Sequence, residues 1–172
     1  MLNKGDVTVY GIHGLCKVSD ILVPSFIDKG QEKLYYVMIA VTDKKGILYM
    51  PVDGSEDKVR DVVSADEAEN LISGLDEIDD LDIPGGKKCE GLMFDIIKRN
   101  DAEEMMSLVK SLHRIRAERE LEGKKFAAID EKYLGMCEKI LFSELAFSIG
   151  TDLEDVSGRV YDELSRNEYE TV

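Results

Sequence analysis

The first twenty-one residues, MLNKGDVTVYGIHGLCKVSDI, constrain this chain more than any other stretch. Val7, Val9 and Ile12, then Leu15, Val18, Ile21 and Val23, fall among small and polar residues. Apolar alternation broken by Gly5, Gly11 and Gly14 predicts two short strands joined by a tight turn. Glycine adopts positive φ without steric penalty, so Gly11 and Gly14 can bend the backbone around His13. An N-terminus built this way commits to a small β-barrel or sheet, and whatever is helical must follow it.

The next stretches extend the pattern. Residues 5–10 and 15–23 read as the first two strands. Residues 31–42 hold LYYVMIAV, a β-branched and aromatic run suited to a central, buried strand. Asp43-Lys44-Lys45-Gly46 reads as a turn, and ILYMPV (47–52) as the next strand, the two strands forming a hairpin. Pro51 lacks an N–H, which places a strand end or a sheet edge there. Asp53-Gly54-Ser55 is a second turn, and KVRDVV (58–63) completes the set. Five short strands with turn residues between them predict an SH3- or Tudor-like barrel.

At Ser64 the period changes. Ser64-Ala65-Asp66-Glu67 is a capping box, and Ala68, Leu71 and Ile72 then make a short helix that Gly74 ends. Residues 75–86 form an acidic connector, with Pro84-Gly85-Gly86 as its strongest break. Beyond it come amphipathic helices. Leu92, Met93, Ile96 and Ile97 lie on the first, and Asn100-Asp101-Ala102-Glu103 caps the second. The second buries a stripe of Met105, Leu108, Val109, Leu112 and Ile115. After Gly123, Ile129, Tyr133, Met136, Ile140 and Phe147 line a third helix that Gly150 stops. Thr151-Asp152-Leu153-Glu154 caps the last, whose stripe is Leu153, Val156, Val160 and Leu164. The expected fold class is α+β in two domains. An SH3/Tudor-like five-stranded β-barrel spans 1–63. A short helix and acidic Pro/Gly connector spans 64–86, an all-α helical bundle 87–166, and a frayed tail 167–172.

Composition narrows the function classes. No run of 18 or more apolar residues is present, so no membrane span is expected, and the N-terminus lacks a signal-peptide pattern; the cytoplasm is the expected location. Cys16, Cys89 and Cys137 are scattered and odd in number, which indicates neither a disulfide framework nor a zinc site. The net charge of −14 argues against a free-standing nucleic-acid binder. Its distribution is uneven. Residues 65–82 carry eight acids and no base, whereas residues 87–125 carry ten bases against eight acids.

Reactive groups are few, and no enzyme and no cofactor is expected. His13 and Cys16 invite a Cys–His nucleophile reading, but nothing supplies an orienting third group or an oxyanion hole, and a turn histidine beside a buried thiol is the simpler reading. The connector carboxylates lack EF-hand spacing. Gly85-Gly86-Lys87-Lys88 lacks the spacing of a phosphate loop. Binding features are stronger. Tyr10, Phe26, Tyr35, Tyr36 and Tyr49 supply the residue types of an aromatic cage for a methylated cation, against the plainer reading of core and cross-strand pairs. The strand around Lys45–Met50 offers an edge for β-augmentation, or for dimerisation; the oligomeric state stays open.

Several stretches together resemble one family. KGDVTVYGIHGLCKVSDI, LYYVMIAVTDKKGILYMPVD and VRDVVSADEAENLI resemble the RNA-polymerase-interacting domain of the CarD/CdnL bacterial transcription regulators. A similar domain occurs in transcription-repair coupling factors, whose helicase motors this chain has no room for. RNDAEEMMSLVKSLHRIRAERELEGKK and LGMCEKILFSELA resemble the C-terminal helical domain specific to CarD/CdnL. The resemblance covers roughly residues 1 to 150. It implies a barrel that docks on the polymerase β subunit through a strand edge formed by Ile47, Leu48, Tyr49, Met50 and Pro51. It also implies a helical domain that touches promoter DNA through Lys87, Lys88, Arg114, Arg116, Lys124 and Lys125 and stabilises the open complex. Leu48→Pro is then the natural probe of the edge. The chain departs from the family pattern twice. Members place a Trp where Pro84-Gly85-Gly86-Lys87 stands here, and some place an Arg where Tyr49 stands. The alternative is a protein–protein adaptor that binds polymerase or another partner without a DNA role.

Overall fold

The computed structural model describes residues 1–84 and 86–170. Gly85, in the expected break, and residues 171–172, at the end of the expected tail, lie outside them. The chain divides into two compact units, Met1–Val62 and Val63–Val172. Among the described residues, no helix is long and apolar enough to cross a membrane.

The first unit is an antiparallel sheet of β1 (Val7–Tyr10), β2 (Gly14–Leu22), β3 (Tyr35–Ala40), β4 (Asp43–Pro51) and β5 (Val59–Arg60), in the order β4-β3-β2-β1-β5. A single 3-10 turn, Gly11–His13, joins β1 to β2, with Gly11 at φ 41° and Gly14 at φ 65°. The two glycines take up the left-handed geometry that bends the chain around His13. The expected barrel does not form: the sheet is open, with β4 and β5 at its two edges. Of the expected strand 58–63 only Val59 and Arg60 pair, with Tyr10 and Val9. Closure needs strands long enough to sustain a tilted, staggered ladder all the way round, and a two-residue strand cannot do this.

The expected turn Asp43–Gly46 is instead part of β4. Ala40 pairs with Asp43, so the hairpin turns at Val41-Thr42, and Ile39 then pairs with Ile47. Three extra residues, Lys44, Lys45 and Gly46, form a bulge, where Asp43 Oδ1 accepts from the Lys45 N–H at 3.2 Å. The Asp/Gly chemistry that signals a turn acts here as an irregularity within a strand. A second register shift sits at Ser19, whose hydroxyl donates to the Val37 carbonyl at 2.9 Å.

The register sorts side chains between two faces. Cys16, Val18, Tyr36, Met38, Ala40 and Met50 form a buried cluster, with Leu48, Tyr10 and Ile21 packed against it. Strand alternation puts Tyr35, Ile39, Ile47, Tyr49 and Pro51 on the opposite face. It sorts the backbone as well. Val52 N–H donates to the Leu34 carbonyl at 2.9 Å, so bonded pairs continue at Met50–Tyr36 and Leu48–Met38. Ile47, Tyr49 and Pro51 therefore turn their backbone polar groups away from β3, toward the outer edge. Pro51 fits that position because its missing N–H has no ladder partner to lose.

The second unit contains α1 (Ala65–Ser73), α2 (Glu90–Arg99), α3 (Ala102–Leu121), α4 (Ala128–Ile149) and α5 (Leu153–Glu170), which takes in much of the expected tail. A 3-10 turn, Gly86–Cys89, leads into α2. The capping box at Ser64 and Glu67 is formed, and Asp101 caps α3 by accepting from Glu104 N–H at 2.9 Å. Asn100 and Gly150 take left-handed conformations that end α2 and α4. α4 packs against α1, α2, α3 and α5, and buries Tyr133, Leu134, Cys137, Ile140, Leu141, Phe142 and Leu145 around most of its circumference. That is the pattern of a central helix rather than a one-striped surface helix. Phe147, expected on the buried stripe, is half-exposed.

The acidic stretch after α1 belongs to this core. Leu75 and Ile83 are buried in it, with Ile78 and Leu81 packed against it. α3 holds the backbone in between. Leu81 N–H donates to Ser111 Oγ at 2.8 Å, Ser107 Oγ donates to the Asp79 carbonyl, and Lys110 Nζ donates to the Ile78 carbonyl at 2.6 Å. Arg114 Nε meets Asp80 Oδ2 at 3.1 Å.

Two stability measurements check these placements. Leu75→Ala is expected to lower the urea-unfolding free energy by about 2–5 kcal/mol, as for a core leucine; a change below about 0.5 kcal/mol would mean a solvated side chain. Leu48→Pro removes an inward ladder N–H and is expected to cost about 2 kcal/mol or more, whereas Ile47→Pro, whose N–H faces out, should cost less than about 1 kcal/mol. Equal losses from the two proline variants would refute the assigned alternation.

Candidate functional site

The docking strand expected at Ile47, Leu48, Tyr49, Met50 and Pro51 forms the second half of the edge strand β4. The five residues divide by parity. Met50 is fully buried and Leu48 packs on the sheet core, so neither side chain is available to a partner. Ile47 is 58% exposed and Tyr49 43% exposed, and these same residues turn their N–H and C=O groups to the open edge. Leu48→Pro is therefore a probe of folding rather than of the edge; Ile47 and Tyr49 carry the edge donors.

The five candidate cage aromatics are also split by alternation. Tyr36 is buried, and its hydroxyl accepts from the Leu2 N–H at 3.1 Å. Tyr10 packs on the same core and lies 5.2 Å from the His13 ring. Phe26, Tyr35 and Tyr49 alone come together. The Phe26 ring stands edge-on to Tyr49 at 5.1 Å and to Tyr35 at 6.1 Å between centroids. Edge-on contacts of this kind suit the aromatic quadrupole.

The six expected DNA-facing bases occupy different settings in the helical unit. Lys87 and Lys88 are exposed on the 3-10 turn before α2. Lys125 is exposed after α3. The other three have carboxylate partners. Arg114 binds Asp80 and, at 3.1 Å, Glu118. Arg116 lies 3.7 Å from Glu131 and stacks 4.6 Å above the Phe126 ring. Lys124 meets Glu122 at 2.7 Å. The unit as a whole carries 27 acids against 14 bases, so a net −13 of the chain's −14 resides there.

Two arrangements escape a reading based on apolar stripes. One is the set Ser107, Lys110, Ser111 and Arg114, spaced i, i+3, i+4 and i+7, which grips the acidic segment from one face of α3. That spacing is visible in the sequence, but it is a polar stripe. The other joins three helices. His113 Nε2 and Glu138 Oε1 are 2.8 Å apart, and Tyr161 Oη donates to Glu138 Oε2 at 3.0 Å. Both Glu138 oxygens are thus engaged between α3, α4 and α5. Burial first, and the Glu138 charge second, push the Tyr161 hydroxyl above its ordinary range. His13 and Cys16 do not form a dyad: the Cys16 thiol is buried in the sheet core, and burial raises it to about 11, the direction opposite to nucleophile activation. Among the described residues, no group of three or more His, Cys, Asp or Glu is placed to hold a metal ion.

No curated protein matches the chain. Residues 2–63 match the family model described as the CarD-like/TRCF RID domain. The match takes in all five strands, the open edge of β4 and the Phe26–Tyr35–Tyr49 cluster. The chain thus carries a CarD-like/TRCF RID domain over residues 2–63.

Proposed function

We propose that this chain is a non-enzymatic transcription regulator that docks on the RNA polymerase β subunit by adding a polymerase strand to the outer edge of β4. The observation that carries this reading is the exposed backbone of Ile47 and Tyr49 on an edge strand inside the RID domain. Unpaired edge groups are satisfied by an incoming strand, with side-chain pockets on alternate positions adding selectivity. A cytoplasmic location follows from this partner.

In the fuller form of the reading, the helical unit reaches promoter DNA once docking has placed it there and stabilises the open complex. Lys87, Lys88 and Lys125 are the exposed bases best suited to phosphate contact, since Arg114, Arg116 and Lys124 already have carboxylates beside them. A net −13 unit has no long-range attraction to DNA. Tethering offsets this by raising the local concentration to the order of millimolar. The same charge favours a second reading, in which the helical unit is an adaptor for a protein partner and DNA plays no part.

Pull-down with the polymerase β lobe should succeed for wild type and fail for Ile47→Pro. Retained binding by a folded Ile47→Pro protein would refute edge pairing. The free protein should bind duplex DNA no tighter than about 100 μM at physiological salt, the weak end of non-specific binding; nanomolar binding would remove the need for a tether. Open-complex lifetime separates the two readings. A lengthened lifetime supports DNA contact, and an unchanged lifetime with intact polymerase binding supports the adaptor.

A further inference from the structure

Phe26 is 61% exposed, the largest exposure of any aromatic side chain among the described residues, yet it packs edge-on against two tyrosines. It sits in the turn Pro24–Ile27, closed by the Ile27 N–H donating to the Pro24 carbonyl at 3.1 Å. Pro24 is buried and anchors the turn. The turn projects the ring against Tyr49, on the edge strand, and Tyr35, on the strand beside it. A large aromatic so held has lost much of its rotameric freedom before any partner arrives, which lowers the entropy cost of binding through it. Rigid, half-exposed aromatics of this kind are typical binding hot spots.

The neighbouring edge specifies what occupies this cluster. Ile47 and Tyr49 present unpaired N–H and C=O groups, so the occupant is extended. Its backbone lies about 4.8 Å from β4, and its side chains alternate between the two faces of the lengthened sheet. Every second one falls on the face that carries Ile47, Tyr49 and the Phe26 ring. Phe26, Tyr35, Tyr49, Ile47 and Pro51 bring no charge to the edge side of that face; its charges, Lys17 and Asp20, lie two strands in on β2, across Ile39 and Val37.

We propose that the polymerase strand docked on β4 seats an aliphatic or aromatic side chain against Phe26, Tyr35 and Tyr49, and that Phe26 is the residue that sets its specificity. The proposal rests on the edge-docking reading above and adds the chemistry of the docked segment: apolar at the position facing Tyr49, with no ion pair required. Aromatic–aliphatic cross-strand contacts favour such a seat. They also make docking tolerant of salt, which screens charge pairs and not apolar burial.

The test is the affinity of the full chain for purified core RNA polymerase in 0.1 M and 0.5 M NaCl. Wild type, Phe26→Ala, Phe26→Leu and Ile47→Pro are compared, with urea midpoints confirming that each is folded. Wild-type affinity is expected to change less than about threefold between the two salts. Phe26→Ala should weaken binding by about tenfold or more at both, and Phe26→Leu should recover most of the loss. Loss of binding in Ile47→Pro with no change in Phe26→Ala would overturn the seat and leave edge docking standing. Unchanged binding in both variants, or none by wild type, would overturn edge docking and the seat with it. A tenfold loss of wild-type affinity at high salt would overturn the apolar chemistry. A self-association that Phe26→Ala abolishes while polymerase binding stays intact would assign the seat to a second copy of the chain and overturn the proposal.

Discussion

The interaction on which the first unit depends is the antiparallel pairing of β3 with β4. Its alternation makes two decisions at once. Leu48 and Met50 give their side chains to the core and their amides to the ladder with Met38 and Tyr36. Ile47 and Tyr49 are left with exposed side chains and outward backbone groups. A slip of one residue would exchange the two sets and put Met50 in water. The core therefore holds the register, and the register is what leaves an open edge. Pro51 marks where that edge runs out of donors. The irregularities respect this division: the three-residue bulge at Lys44–Gly46 ends before Ile47, from which the alternation runs unbroken to Pro51.

In the second unit the corresponding constraint is how α3 grips the acidic segment. Burial of Leu75 and Ile83 carries a run of carboxylates against the helix. Ser107, Lys110, Ser111 and Arg114 satisfy its backbone and one of its acids. The consequence is electrostatic. Lys110 and Arg114, which look in the sequence like an open basic face, are held by neighbours of opposite charge. Elsewhere in the unit, Arg159 forms a two-point pair with Glu69 that ties α5 to α1 and keeps the Glu69 carboxyl below its usual range. Bases in this unit serve its cohesion first. What remains for a polyanion is a small exposed set within a field of the wrong sign, so any DNA contact depends on placement rather than attraction.

Much of this was legible in the sequence, for identifiable reasons. The strands announce themselves because half-buried strands must alternate, and the helix ends because Ser64, Asp101 and Gly150 each carry local capping chemistry; Asn100, expected in the cap that starts α3, instead ends α2. Residues 47–51 read correctly as an edge because Pro51 cannot donate. Sheet closure was not legible, since sequence pattern marks strands and not how far each one pairs; KVRDVV pairs over only two residues. Nor was the assignment of Asp43–Gly46 to a bulge, because turn and bulge draw on the same residues. The direction of each backbone amide depends on which residue is opposite which. That pairing is a tertiary fact, which is why Leu48 looked as good a probe as Ile47. The role of the acidic stretch was hidden because four apolar residues among five acids read as a linker until the helix that covers them is in place.

The two departures from the family pattern bear on one another. An Arg in the docking strand would recognise a partner through a charge-assisted bond whose strength and geometry are directional. Tyr49 offers instead a ring already braced by Phe26, and the backbone donors beside it are unaffected by the change. A wedge Trp would let the helical unit hold DNA through an unstacked step. In the proposed DNA-contact reading, its absence, together with the net −13 of that unit, would leave the helical unit without that independent hold on DNA. Under the proposed reading, both changes would shift the work of recognition toward the sheet edge and its apolar flank. On the proposed reading the chain relies on docking to place its helical unit, and the affinity of that single edge would limit what the helical unit can do.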